Sequence, residues 1–540
     1  MSLPVRALDL PPIDLTPTTH AAPRRVWRDR GPFIAALIAL VAGMIAVNTL
    51  PIGGFYDDAF YVILGKSLAT GQGYRNLNLP GAPFATHYPP GYPLLLALLW
   101  RIGPAFPANL VLFKIANAVL LAVAAAYAYR LGRERLGLDP SAALIATAAG
   151  TATTPALYLS SMLLSETMFL ALAVPFLLWA EGVVRSDRRD WWRALYLGAT
   201  AGLLFLVRSQ AVALIGAVAL VYALRRRWLK SAITCVAAAI VVSPWLAWVA
   251  AHDSFPSLMR GDYGSYFAWF TDGLHERGPR IILETLQRNV PDMFGHLVHR
   301  FQPPTMSLPE VIFSVAVGLL GACGLVRVAR RAPVTLLFLL AYLAIVAVWP
   351  FAPVRFVLGV WVLLMLVIAA GAETLIDDRL PNALWRNPHV RAARRTISFG
   401  AAALLMFGVI AYNIRGYQRH WWANTQDLSG RWIAPKLAWI AANTDTSAVI
   451  ATDHDEGTVY LYTGRHAVPV TTFTAGEYIA PRSLDADAAA LKELTAIFRP
   501  RYLVLSSVRL RPTAAALSVA GIALGDGAHK VVPWAFTLRR

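Results

Sequence analysis

Two adjacent carboxylates, Asp57 and Asp58, follow the apolar run from Phe33 to Leu50 after a short turn, PIGGFY. A carboxylate held at such a boundary can take a proton from a hydroxyl that approaches from water, the work of a general base. Other groups suited to chemistry stand at similar edges. Glu166 lies in LSSMLLSETMF (159–169), Arg208 interrupts LLFLVRSQAVAL (203–214), and Arg355 follows two prolines in WPFAPVRFVLG (349–359). His87 and Tyr88 open the elbow HYPPGYP (87–93). A charge inside apolar sequence costs about 2.5–3.5 kcal/mol on insertion scales, so it has a partner or a function. Arginine is suited to stabilising negative charge that develops on a phosphate. Each group also has a plainer reading. Asp57 can cap a helix while Asp58 complements its dipole, Ser165 can cap the helix that carries Glu166, and the arginines can snorkel to the interface. Two weaker clusters have the residue types of metal sites, Asp292/His296/His299 and Asp453/His454/Asp455/Glu456. The preferred readings there are a surface helix and a loop that caps the next helix.

The elements that must position these groups are membrane spans. The chain has 540 residues, 57% of them hydrophobic and only 15% charged. About eleven apolar runs lie near 33–50, 109–129, 141–159, 167–184, 194–207, 210–224, 231–250, 310–326, 333–350, 356–374 and 397–413. Runs of that length predict a polytopic transmembrane helical bundle, a mainly α fold. The net charge of +18 is concentrated at alternate junctions, around Arg24–Arg30, Arg130–Arg135, Arg185–Arg193, Arg225–Lys230, Arg327–Arg331 and Arg386–Arg395. That alternation is the positive-inside pattern, so the charge records topology and not nucleic-acid binding. Asp377 and Asp378 fall on the cytoplasmic side of this scheme. Two cysteines, both in apolar runs, supply no disulfide framework.

The predicted organisation is a cytoplasmic tail (1–32), a membrane domain (33–413) with outer loops at 51–108 and 251–309, and an extracytoplasmic domain (414–540). The first run reads as an uncleaved span, and the first 20 residues as disordered. In the last domain apolar runs shorten to strand length, as in AVIAT, AVPV and YLVLS, with a helical stretch at 484–498, which predicts a small α/β unit. After Asp57, the spacing of Phe60, Ile63, Leu64 and Leu68 predicts a short amphipathic helix lying flat at the interface. The elbow at 88–93 is too rich in proline for regular helix and feeds an apolar segment that dips towards the outer leaflet.

In their order along the chain these motifs resemble the C-type polytopic glycosyltransferases (GT-C fold), nearest the protein-mannosyltransferase and aminoarabinose-transferase group. VYLYTGRHAVP (459–469) and RPRYLVLSS (499–507) resemble the soluble domain of bacterial members. The resemblance implies an enzyme of the bacterial inner membrane. It would move a sugar from a polyprenyl-phosphate donor to a protein, lipid or glycan acceptor on the extracytoplasmic face, inverting the anomeric centre. It implies Asp57 as general base and Asp58 as the neighbour that orients the acceptor or a metal. Arg355 and Arg208 would meet the donor phosphate, Glu166 would face Asp57 across the cavity, and His87 and Tyr88 would border the substrate. No cofactor is certain; a divalent metal ion is a candidate. The chain departs from the group in having Asp57-Asp58 where Asp-Glu is frequent, and His87 where the aminoarabinose transferases carry a lysine. The alternative is a transporter or flippase of a lipid-linked saccharide. That reading predicts charges near the midplane of several spans and inverted repeats, and the sequence has neither.

Overall fold

The computed structural model describes residues 29–186, 190–256, 259–299, 308–376, 388–505, 507–520, 529–530 and 534–537. Most of the N-terminal tail, Asp377 and Asp378 lie outside the described residues, as do the side chains of His296 and His299. The chain begins with α1 (Gly31–Ala46), α2 (Asp57–Ala69), α3 (Gly91–Ile102), α4 (Asn109–Leu131), α5 (Pro140–Thr151), α6 (Thr154–Ser161) and α7 (Ser165–Arg185). It continues through α8 (Trp192–Phe205), α9 (Val212–Leu224), α10 (Trp228–His252), α11 (Tyr266–Arg277), α12 (Arg280–His299), α13 (Leu308–Arg331) and α14 (Pro333–Val348). The remaining helices are α15 (Val354–Leu358), α16 (Trp361–Ile376), α17 (Pro388–Gln418), α18 (Asn424–Asn443), α19 (Glu456–Thr463), α20 (Leu484–Phe498) and α21 (Ser507–Ala520).

Helices cover the eleven apolar runs expected as spans, those at 141–159 and 356–374 as broken pairs (α5 with α6, α15 with α16), because in lipid the backbone must satisfy its own hydrogen bonds. Among the described residues α4, α7, α10 and α13 are long and apolar enough to cross a membrane, and α5 with α6, bent by 48°, make a fifth if they form one span. Helix pairs approach closely at small residues. A Cβ on Gly324 of α13 would lie 1.9 Å from the Val367 carbonyl of α16, and one on Gly371 of α16 would lie 1.8 Å from that of Leu320.

Arginines gather at one end of the bundle, where they donate to carbonyls that helix ends leave free. Arg225 bonds Val184 O at 2.7 Å, Arg227 bonds Ser186 O at 2.9 Å, and Arg327 bonds Gly137 O at 2.7 Å. The opposite end carries the two large loops and the C-terminal domain. There α2 differs from the flat interfacial helix that its spacing predicts. Asp58 through Gly65 are buried without a break. One side of α2 packs on α3 and the other is covered by α19, so both faces are internal. The elbow is irregular up to Pro90, and α3 starts at Gly91. Pro93 is therefore helical after all: it falls in the first turn, where its missing N–H breaks no bond. The second loop folds into α11 and α12.

The C-terminal domain is a five-stranded sheet in the order β2-β1-β3-β5-β4, formed by β1 (Val449–Thr452), β2 (His466–Pro469), β3 (Tyr502–Leu505), β4 (His529–Lys530) and β5 (Trp534–Thr537). β1 pairs in parallel with β2 and β3, and β5 is antiparallel to β3 and β4. The α/β character expected from the short apolar runs is present. The sheet is tied to the first outer loop, since the Ala467 amide donates to Asn78 O at 2.8 Å.

Candidate active site

A cavity of about 150 Å³ opens where the membrane helices, both outer loops and the C-terminal domain meet. Asp57 reaches it from the first turn of α2. Arg208 reaches it from the extended break between α8 and α9, where its φ is −155°. Arg355 reaches it from α15, a single turn that starts only after Pro353. His87 and Tyr88 come from the elbow. Five of the seven residues singled out in the sequence therefore line one cavity, although they are far apart in the chain.

Arg355 is the hub. It is buried, and its guanidinium bonds Asp57 Oδ2 through Nη1 and donates from Nε to Glu166 Oε1 at 2.5 Å. Arg208, also buried, places Nη1 at 3.1 Å from Glu166 Oε2 and donates to Ser165 Oγ at 3.0 Å. The other oxygen of Asp57 accepts from the Tyr88 hydroxyl at 2.9 Å. Burial pushes the Asp57 carboxyl up, but the adjacent Arg355 outweighs it and holds Asp57 below the usual carboxylate range. His87 is anchored by a 2.7 Å contact between Nδ1 and Gly264 O, and burial lowers its pKa.

Several expectations do not hold. Glu166 does not face Asp57 across the cavity. It lies behind the arginines, fully buried, and joins them. Nor is Ser165 the cap of α7: Leu164 holds that position, and the Ser165 hydroxyl meets Arg208 and the Tyr61 hydroxyl. Asp58 turns away from the cavity, and its carboxylate accepts from the Gly53 amide at 3.1 Å and the Ala59 amide at 3.0 Å. It completes the turn before α2, so it cannot orient a substrate beside Asp57. Burial pushes its carboxyl up to about 6 even against those bonds. The capping role set against Asp57 is likewise not seen: Tyr56 precedes the helix, with no side-chain cap.

The lining also holds residues not singled out in the sequence: Tyr61, Asp262, Tyr266 and Trp269 line the cavity, together with His454 from the weaker of the sequence clusters. Asp262 is 5% exposed, its Oδ2 makes no hydrogen bond, and His454 Nε2 lies 3.4 Å from its other oxygen. Burial pushes the Asp262 carboxyl up to about 7. The TDHDEGTVY segment is the strand-to-helix loop expected of it, yet it also delivers His454 to the cavity. Its neighbour Asp455 bonds Lys436 at 2.7 Å. Among the described residues no group of three or more His, Cys, Asp or Glu is placed to hold a metal ion. Asp292 is exposed on α12.

This architecture, a bundle with two outer loops roofed by an α/β domain over a charged cavity, is the GT-C fold. Residues 87–248 match the family model described as dolichyl-phosphate-mannose-protein mannosyltransferase. The chain is similar in structure to ArnT from Cupriavidus metallidurans bound to undecaprenyl phosphate, with 15% identity and a TM-score of 0.54 over 94% of this chain and 98% of that one. It is also similar to the Archaeoglobus fulgidus oligosaccharyltransferase in the apo form, with 14% identity and a TM-score of 0.51 over 92% of this chain and 73% of that one. The comparison with curated proteins gives no match.

Proposed function

We propose that this chain is a membrane glycosyltransferase that passes a sugar from a polyprenyl-phosphate donor to an acceptor hydroxyl at the extracytoplasmic face of a bacterial inner membrane. The observation that carries the reading is Asp57. It is an ionised carboxylate at the end of a membrane bundle, oriented by Tyr88 and bonded to a buried arginine in an open cavity. The mannosyltransferase match and the similarity to a structure solved with undecaprenyl phosphate support the donor class.

The charges define the step. Asp57 and Glu166 balance Arg208 and Arg355, so the four together are neutral (−2 + 2 = 0). Asp57 takes the proton of the acceptor hydroxyl as its oxygen attacks the anomeric carbon. The bond from that carbon to the phosphate oxygen breaks, and the electron pair stays on the phosphate. Protonated Asp57 no longer counts, and the remaining three groups carry +1 while the leaving phosphate gains one negative charge. Preorganised charge of this kind favours the transition state over the ground state. A single displacement inverts the anomeric centre. Asp262, His454 and Tyr266, which line the same cavity, border the acceptor. The donor chain stays in the bilayer while its phosphate meets Arg355 and Arg208.

Transfer from a panel of synthetic polyprenyl-phosphate sugars by purified protein in detergent, with native membranes as the acceptor source, tests this reading. At least one donor is consumed with release of polyprenyl phosphate, and Asp57→Asn is slower by about 10²–10⁴-fold. A variant as fast as wild type removes Asp57 from the reaction.

A further inference from the structure

We propose that the C-terminal domain is a working part of the active site: helix α19, chiefly through Glu456, holds the turn before α2 and thereby positions Asp57. The proposal rests on Asp57 being the base. Tyr56, immediately before Asp57, has φ 61° and ψ −68°, a left-handed backbone that a tyrosine rarely adopts. Such strain persists only when the surroundings over-determine it. Here the surroundings are α19 and the residue pair preceding it. The Tyr56 hydroxyl donates to Glu456 Oε1 at 2.6 Å, and its ring lies 4.0 Å from the His454 ring, centroid to centroid. The Ile52 amide donates to the Tyr462 hydroxyl at 3.2 Å. Gly53, with φ 100°, lies so close to Thr458 that a Cβ would fall 1.7 Å from its Oγ1. Three positions of the turn therefore rest on one short helix of another domain.

Glu456 is fully buried and makes no salt bridge among the described residues. A buried carboxylate is costly unless hydrogen-bonded. Its Oε1 accepts from Tyr56 and, at 2.7 Å, from the Tyr263 hydroxyl of the second outer loop. One side chain of the C-terminal domain thus joins both outer loops behind Asp57. Glu456 and Tyr56 act through Asp57 and are positioning residues.

The test uses the full-length protein in detergent with Glu456→Gln, Tyr56→Phe and the double variant. Hydrogen–deuterium exchange of the 52–58 segment needs no substrate, and transfer from the donor panel gives kcat and donor KM. Each single variant raises exchange at 52–58 while β1 stays protected, and lowers kcat by roughly ten- to a hundred-fold with donor KM unchanged. The double variant is no worse than the worse single one, because both weaken the same hydrogen bond: Tyr56→Phe removes its donor and Glu456→Gln exchanges its charged acceptor for a neutral one. Unchanged exchange, or losses that multiply and extend to donor KM, overturns the proposal. If Glu456→Gln does not fold, Tyr56→Phe, which lacks a single oxygen, carries the same test. Full activity in Asp57→Asn sinks the base reading instead, and is distinguishable because the exchange result does not depend on it.

Discussion

Replacing Arg355 with methionine separates the two jobs that the structure gives it. Methionine fills part of the buried volume and carries no charge. The change leaves Asp57 with Tyr88 alone and Glu166 with Arg208 alone, and the four-group cluster moves from neutral to −1. Removing one partner of a buried ion pair costs about 3–5 kcal/mol, because the abandoned charge stays desolvated. Asp57 then loses the cation that opposes its burial, so its carboxyl rises. Asp58, in the same turn and with no arginine bonded to it, shows the trend: burial and the neighbouring Asp57 push it up to about 6 against its backbone hydrogen bonds. In wild type the depressed Asp57 contributes stability above the unfolded pKa, and this is lost as pH falls through the folded value. In Arg355→Met the sign reverses, since a raised carboxyl contributes stability below the unfolded pKa and loses it as pH rises through the folded one. The stability gap between the two proteins is therefore widest near neutrality and narrows in acid. Denaturant melts in detergent from acid to neutral pH measure it. Transfer assays at the same pH values should show the acid limb of kcat moved towards neutrality and donor KM raised. A gap independent of pH, together with an unchanged donor KM, refutes the assignment.

Glu166→Gln leaves the two buried arginines with one carboxylate, so about 3–5 kcal/mol of stability is lost; a melt within 1 kcal/mol of wild type, an order-of-magnitude margin, would show that the pairs are not coupled. Asp262→Asn is expected to stabilise. Burial raises this carboxyl from 3.8 to about 7, so the wild-type penalty accumulates across that interval and is complete above it, at about 4 kcal/mol as an upper bound. The variant's advantage should grow over the same pH range in denaturant melts, and an advantage already present in strong acid contradicts the cause. Gly91→Ala places a Cβ 2.7 Å from the Leu206 carbonyl, which the Gly91 amide also bonds, and so pushes on the break that carries Arg208. Donor KM should rise several-fold in the transfer assay, and an unchanged donor KM would show that the break yields without moving Arg208.

What the sequence reveals depends on contrast. Spans are legible because lipid admits few backbone solutions. Asp57, Arg208 and Arg355 are legible because charge beside apolar residues is costly and so conspicuous. Asp262 and His454 lie in polar loops, where a carboxylate or an imidazole is ordinary, and only the tertiary fold turns them into the same cavity. The α2 error has the same origin. The spacing of Phe60, Ile63, Leu64 and Leu68 describes one buried face, but the other is covered by α19, almost four hundred residues away in the chain. Periodicity along a helix carries no record of what a distant domain will place on it.

Asp57 and Asp58 show why even a conspicuous motif leaves roles unassigned. They are chemically alike, adjacent, and in the same helical turn. Successive helical residues point about 100° apart, so one carboxylate meets Arg355 and the cavity while the other turns back to the Gly53 and Ala59 amides. The cation holds the first below the usual carboxylate range, as the proposed base requires, and burial pushes the second up to about 6 where it holds a turn. The assignment of roles therefore lies in which partner each carboxylate faces. Arg355 comes from the turn that starts after Pro353, and on the proposal made above the strained Tyr56 sets the phase of α2. A substitution that rotated α2 by one residue would place Asp58 beside the arginine and turn Asp57 a further 100° away from it, which makes the turn before α2 as decisive for the site as either carboxylate.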